Sequence, residues 1–353
     1  MTVSNPRPCG DFRTDYAGDT RLFSDRAHTG GFFCLLALAL VVPFVFDGYV
    51  VSLMILIGIY GIAALGLNIL VGFTGQISLG QAAFFGFGAF SSAWLNTNTG
   101  IPVMITILLA GIMTTAVGMI FGIPAARIKG LYLAIATLAA QFILEDFYAR
   151  AEWFTGGSAG SLAETPELFG FVFDSDQRYY YLVLFWVCVS FLLASNLMRS
   201  RDGRAFIAVR DHYLSAEVMG INLTKYRILS FGISSFFAGI GGALMGHYLG
   251  YVSAESFTIF FSVLFLAMII IGGLGSIAGT LLGTAFIVLL PQFMEFLVGL
   301  LSGPVPFLLD VQPYIKEMAI GSAIIIFLIF EPEGLIHRWR LIRAYWRLYP
   351  FSY

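Results

Sequence analysis

The chain is 353 residues long, 58% hydrophobic and only 11% charged, with a formal net charge of −2. Soluble domains run nearer half apolar and a quarter charged, so this composition excludes an ordinary soluble fold. The small net charge points to no nucleic-acid partner, and Cys9, Cys34 and Cys188 stand at spacings that exclude a disulfide framework or a cysteine metal site.

Residues 1–30 mix four Arg with four Asp. They lack the basic, apolar, small-residue order of a cleaved signal peptide and read as a cytoplasmic tail. Apolar windows of about 20 residues then recur, the length that crosses roughly 30 Å of hydrocarbon as a helix. The expected spans are 31–46, 50–71, 76–95, 101–123, 131–148, 179–198, 226–249, 257–273, 277–299 and 317–331. Lipid offers no partner to a backbone N–H or C=O, so repeated spans of this kind mean a helical bundle. Ten-residue segments of alternating polarity, the mark of a membrane barrel, are absent. The predicted fold is an all-α polytopic membrane protein of about ten helices. Span 76–95 is rich enough in Gly and Ser to be broken or re-entrant.

Basic residues set the orientation. Arg199, Arg201, Arg204, Arg210, Lys225 and Arg227 lie in the loop 199–225 and its border, and Arg338, Arg340, Arg343 and Arg347 in the tail 336–353. The loop 149–178 instead carries Glu152, Glu164, Glu167, Asp174 and Asp176. Both termini are therefore expected in the cytoplasm, with 149–178 outside and the membrane domain covering 31–335. Within that domain Gly72-x-x-Gly75-x-Ile77 echoes Gly272-x-x-Gly275-x-Ile277 at an offset of 200. Internal repeats are common in transporters, although Gly-rich helix starts also resemble one another by chance.

No enzyme pattern has its context. Residues 156–160 match G-x-S-x-G, but that pattern needs a strand before the serine and a helix after it, so a turn is expected. No phosphate-binding G-x-x-x-x-G-K-[ST] occurs, and His28, His212, His247 and His337 offer no metal-ligand spacing. Ionisable groups in the spans are few: Glu145, Asp146, His247 and Glu295. Ion-coupled carriers place carboxylates deep in the bundle, and no such row appears.

Interior polarity is neutral instead. Asn68, Gln76, Ser78, Gln81, Thr137 and Gln141, together with Gly75 and Phe85, form the candidate translocation path; bonding between helices is the competing role for the same residues. Gly275, Gly279 and Gly283 keep a four-residue step that would place them along one helix stripe for close packing. Gly118/Gly122 and Gly242/Gly246 do likewise.

Residues 210–227, RDHYLSAEVMGINLTKYR, interrupt two long apolar runs. Ala216, Glu217, Val218 and Met219 lead into Gly220, a helix stop, with Ser215 or Asp211 as the expected cap. A short surface helix results, with Tyr213, Leu214, Val218 and Met219 on its apolar side. Such a helix is a docking site or rests among lipid headgroups.

This segment resembles the coupling loop of ATP-binding-cassette importers, in the variant Ala216-Glu217-Val218-Met219-Gly220-Ile221-Asn222. Further blocks are similar to the LivM-type permease subunit of branched-chain amino-acid importers: Gly66-Leu67-Asn68, Gly72-Phe73-Thr74-Gly75-Gln76-Ile77-Ser78-Leu79-Gly80, and Lys129-Gly130-Leu131-Tyr132-Leu133-Ala134-Ile135-Ala136-Thr137-Leu138. Thr155-Gly156-Gly157, Ile271-Gly272-Gly273-Leu274-Gly275-Ser276 and Glu331-Pro332-x-Gly334-Leu335 complete the set. The chain departs from the family at Gln81, often His, at Gly279-Thr280, often Gly-Pro, and at Glu333, often Arg.

The resemblance implies a type II importer-like bundle that pairs with a LivH-type permease in the bacterial inner membrane. Two LivG/LivF-type ATPases would bind the ATP and magnesium, leaving no cofactor in this chain. An extracytoplasmic binding protein would deliver the substrate to loop 149–178. Asp211, Tyr213, Leu214, Ala216, Glu217, Met219 and Gly220 would form the ATPase-coupling segment. Leucine, isoleucine and valine lead as substrates; relatives also carry urea, short amides and aromatic acids. An ion-coupled carrier or channel, and a membrane enzyme, are the rival classes.

Overall fold

The computed structural model describes residues 26–348, apart from 129, 169–170 and 302–306. Residues 1–25 of the N-terminal tail, Lys129 and residues 349–353 of the basic tail lie outside the described residues.

Apolar segments that must satisfy their own backbone become helices. In chain order these are α1 (Arg26–Val45), α2 (Gly48–Asn68), α3 (Gln81–Thr99), α4 (Val103–Ala125), α5 (Leu131–Arg150), α6 (Asp176–Arg199) and α7 (Arg201–Asp211). There follow α8 (Tyr213–Val218), α9 (Leu223–Leu249), α10 (Ile259–Gly272), α11 (Ile277–Leu301), α12 (Gln312–Phe330) and α13 (Leu335–Leu348). Among the described residues α1 is a unit of its own, and the chain from Phe46 onward is the second.

Among the described residues eight helical segments are long and apolar enough to cross a membrane: α2 continued to Phe73, α4, α5, α6, α9, α10 together with the turn before it (Ala254–Gly272), α11 and α12. The two remaining expected spans correspond to α1, whose apolar stretch Phe33–Val45 is short, and α3, which is not among the helices apolar enough to cross. The reason for α3 is its surroundings. Residues 81–93 are buried without a break, so α3 meets protein on every side and can afford Gly and Ser where a lipid-facing helix carries Leu and Ile.

Helix α9 is the hub, packed against α2, α3 and α4. Glycine makes this possible. A Cβ on Gly88 would stand 2.3 Å from the Gly239 carbonyl oxygen, and one on Gly242 would stand 1.8 Å from that of Phe85. Lipid supplies no hydrophobic drive between helices, so such close backbone approach is what gathers them. The spans of α2 and α9 are 72% buried in the bundle, against 6% for α12, which lies at its periphery.

The expected stripe at Gly275, Gly279 and Gly283 is corrected in part. Gly275 precedes α11 and has a left-handed backbone, φ +74°. Gly279 and Gly283 carry the close approach, each with its missing Cβ within 2.5 Å of the backbone of α10, at Gly272 and Met268 respectively.

The connection between α5 and α6 is built from a helical turn (Glu152–Thr155), a glycine-rich turn and three short strands: β1 (Ser161–Leu162), β2 (Glu167–Leu168) and β3 (Phe171–Val172). β2 pairs antiparallel with β3. β1 pairs antiparallel with β4 (Tyr251–Val252), which follows α9, in the register Ser161 to Val252 and Leu162 to Tyr251.

Candidate functional site

Two polar clusters stand out in an otherwise apolar bundle. The first forms where α2 ends. Its last turn widens over Ile69–Phe73, and widening leaves carbonyls without helical partners. Arg210, near the end of α7, supplies one: its Nη1 donates to the Gly72 oxygen at 2.7 Å, while Nε pairs with Asp211 at 2.9 Å. Asn68 bonds the corner between α10 and α11 from both ends of its amide. Nδ2 donates to the Ser276 oxygen at 2.9 Å and to Thr280 Oγ1 at 2.7 Å, and Oδ1 accepts the Gly275 N–H at 2.9 Å.

The echoing Gly-x-x-Gly-x-Ile segments thus meet in space, Gly72 against Gly275, beside the Arg210 side chain. Gly75 and Gly275 share a left-handed backbone, φ +72° and +74°. A Cβ on Gly75 would lie 2.9 Å from Arg210 Cγ, and one on Gly275 would lie 3.1 Å from Arg210 Nη1. Gly334 closes the corner from the far side, with its missing Cβ 2.5 Å from the Gly273 nitrogen.

Helix α7 leads into this corner. Ser200 Oγ caps it by accepting the Gly203 N–H at 3.3 Å, and Ala205, Phe206 and Val209 bury one face. One short helix is expected within 210–227; the loop 199–225 holds a second, α7, ahead of it, and the expected caps are corrected. Asp211 ends α7, Ser215 lies inside α8, and the position before α8 is His212, which makes no side-chain cap. Helix α8 closes as expected at Gly220, φ +87°, with the Ile221 N–H reaching the Ala216 oxygen at 3.0 Å. That five-residue return is the Schellman closure, which needs a residue tolerant of positive φ. Ala216 faces inward and is buried; Leu214, Val218 and Met219 are 63%, 87% and 83% exposed.

The second cluster surrounds the start of α3. The segment 74–80 is irregular, so the span 76–95, expected to be broken or re-entrant, has no helix over its first five residues. A helix start leaves N–H donors unpaired, and here other helices accept them. Ala82 N–H donates to Ser262 Oγ of α10 at 2.8 Å, and Ala83 N–H donates to Gln141 Oε1 of α5 at 2.9 Å. Thr137 Oγ1 of α5 accepts the Leu79 N–H at 3.0 Å. Gln141 Nε2 donates to the Phe257 oxygen at 2.7 Å, and Ser262 Oγ donates to Gln141 Oε1 at 3.0 Å. Tyr148 Oη donates to the Ala83 oxygen at 2.6 Å.

The other candidate path residues are bonded too. Gln81 Nε2 donates to the Ala63 oxygen at 2.9 Å and Gln81 Oε1 accepts from Ser234 at 3.2 Å. Gln76 Nε2 donates to Ser230 Oγ at 2.6 Å, while its Oε1 is buried without a partner among the described residues. Ser78 Oγ accepts the Gly80 N–H at 3.4 Å. Phe85 is buried among the rings of Tyr60, Phe257, Phe261 and Phe265. The structure therefore brings Thr137 and Gln141 together at α3, takes Asn68 and Gly75 to the Arg210 corner, and spreads Gln76 and Gln81 along α9.

Sequence reasoning counted Arg210 only as a basic flank and passed over Ser262. A lone serine in the apolar run Ile259–Ile271 was the available signal. The stretch 156–160 is a turn with no strand before it, and no group of His, Cys, Asp and Glu among the described residues could hold a metal.

A family profile described as "Branched-chain amino acid transport system / permease component" matches residues 49–329. The chain belongs to this family. High-affinity branched-chain amino acid transport system permease protein LivM of Salmonella typhimurium and that of Escherichia coli are each 31% identical over 326 residues. The match covers 86% of this chain and 73% of each relative. Probable branched-chain amino acid transport permease protein LivM of Methanocaldococcus jannaschii is 28% identical over 255 residues, 68% of this chain and 70% of that one. No solved structure matches significantly. The chain is thus a LivM-type permease, a multi-pass membrane protein and not itself an enzyme.

Proposed function

We propose that this permease is one of two membrane subunits of an ATP-driven importer for branched-chain or other small neutral amino acids. A LivH-type permease completes the path, two cytoplasmic ATPases bind ATP and magnesium, and an extracytoplasmic binding protein delivers substrate. Both termini and α8 lie on the cytoplasmic side. The observation that carries this reading is α8. Its apolar residues Leu214, Val218 and Met219 are exposed on a short helix that is attached, through Arg210, to the corner joining α2, α3, α10 and α11. A partner gripping α8 would move that corner directly, and packed helices shift between discrete arrangements. Neutral polar groups and the lack of a deep carboxylate row favour this over an ion-coupled carrier.

Gly220 supplies the test. Val at φ +87° is strained by roughly 1–3 kcal/mol, whereas Asn accepts that conformation. In the reconstituted four-domain complex, Gly220→Val should lower ATP-dependent leucine uptake at least tenfold while Gly220→Asn retains most of it. Equal uptake by both variants would remove α8 from the coupling route.

A further inference from the structure

We infer that the cavity beneath β4 is a passage site for the apolar side chain of a small zwitterionic amino acid. This rests on the importer function proposed above. The cavity has a volume of about 190 Å³ and lies between α2, α9 and α10, under the strand β4. Its wall is aromatic. Tyr60 meets Phe261 edge-on at 5.2 Å, and Phe85 lies 5.5 Å from Phe261 and 6.0 Å from Phe257. Rings held against one another at these distances make a stiff wall, since moving one disturbs the others. An apolar cavity of about 150 Å³ holds a benzene ring, so this one has room for an isobutyl or benzyl group.

The chemistry of the lining selects the ligand class. Among the described residues no Asp, Glu, Lys or Arg lines the cavity, and a ligand with net charge would lose water there without gaining a partner. An apolar side chain gains from burial, and Ser253 and Ser256 are lining residues with a hydroxyl to offer a polar head group, Ser253 Oγ also accepting the Glu255 N–H at 3.3 Å. Weak, uncharged contacts also suit a site that must release what it receives.

The roof of the cavity is tied to the loop 149–178. β4 pairs with β1 of that loop, and Tyr251 Oη donates to the Ala159 oxygen at 2.7 Å. A binding protein seated on the loop therefore acts on the cavity's own cover, with one strand pair between them.

The test uses the complete importer in proteoliposomes, with leucine-loaded binding protein at saturation so that delivery is not limiting. Ser256 is exposed at the mouth, so Ser256→Trp is expected to close the cavity without disturbing the fold, lowering maximal leucine uptake at least tenfold. In a parallel variant Cys9, Cys34 and Cys188 become serine and Ser256→Cys is added. A membrane-impermeant maleimide then labels position 256, and leucine-loaded binding protein should slow labelling at least fivefold, with ligand-free binding protein slowing it less. Full uptake by Ser256→Trp, or equal labelling with loaded and ligand-free binding protein, overturns the cavity assignment. Absence of ATP-dependent uptake in the unmutated complex overturns the importer reading, and this one with it.

Discussion

Gln141 uses both ends of its amide on other parts of the bundle: Oε1 accepts the Ala83 N–H and Nε2 donates to the Phe257 oxygen. Leucine at this position would fill the space and leave both groups buried without a partner. An unsatisfied buried group costs about 1–3 kcal/mol. Gln141→Leu is therefore expected to lower the thermal unfolding midpoint of the detergent-solubilised permease measurably, before any question of transport arises. An unshifted midpoint would return Gln141 to the translocation path as its main role. The same logic separates Arg210. Arg210→Gln leaves Asp211 without its cation and the buried Gly72 oxygen without its donor, so stability should fall by about 1–3 kcal/mol, while ATPase docking at the exposed α8 persists and coupling suffers. Uptake down several-fold with ATPase binding intact is the expected result, read by co-purification and transport in the same preparation.

At the level of the element, α8 presents an apolar side with little packing beneath it. Replacing Leu214, Val218 and Met219 together by serine removes exposed surface only. The permease should keep its thermal stability but lose ATPase subunits during purification; full retention of the ATPases would contradict docking at α8. This helix was legible in advance because Gly220 and the polar run around it are local signals. Eight of the ten expected spans fall on helices long and apolar enough to cross, since length and apolarity are local properties; α1 is too short and α3 too polar. What stayed hidden was long-range. Arg210 bonds a carbonyl 138 residues away, and the helix start at Ala82 and Ala83 borrows acceptors from two other helices. Spacing along the chain says nothing about either. Gly275 was misplaced for a related reason: its four-residue step to Gly279 fits a helix, but its left-handed backbone ends that step before α11 begins.

At the scale of the whole molecule, the bundle is arranged around α9, with α2 and α3 enclosed and α12 at the edge. The clusters at α3 and Arg210 both join segments distant in sequence, so the polar groups specify which helices become neighbours after glycine has let them close. The enclosure of α3 has a consequence for how the protein is made. A translocon admits a segment to the bilayer according to its own apolarity, and α3 is the enclosed helix that lacks enough of it. Gln81–Thr99 fused alone to an insertion reporter bearing glycosylation tags should be translocated rather than retained, whereas a fusion spanning residues 48–249, which adds α4 and α9, should lodge it in the bilayer. Biogenesis of this permease should thus depend on α4, and above all on the later-made α9, to hold their own neighbour in the membrane during synthesis.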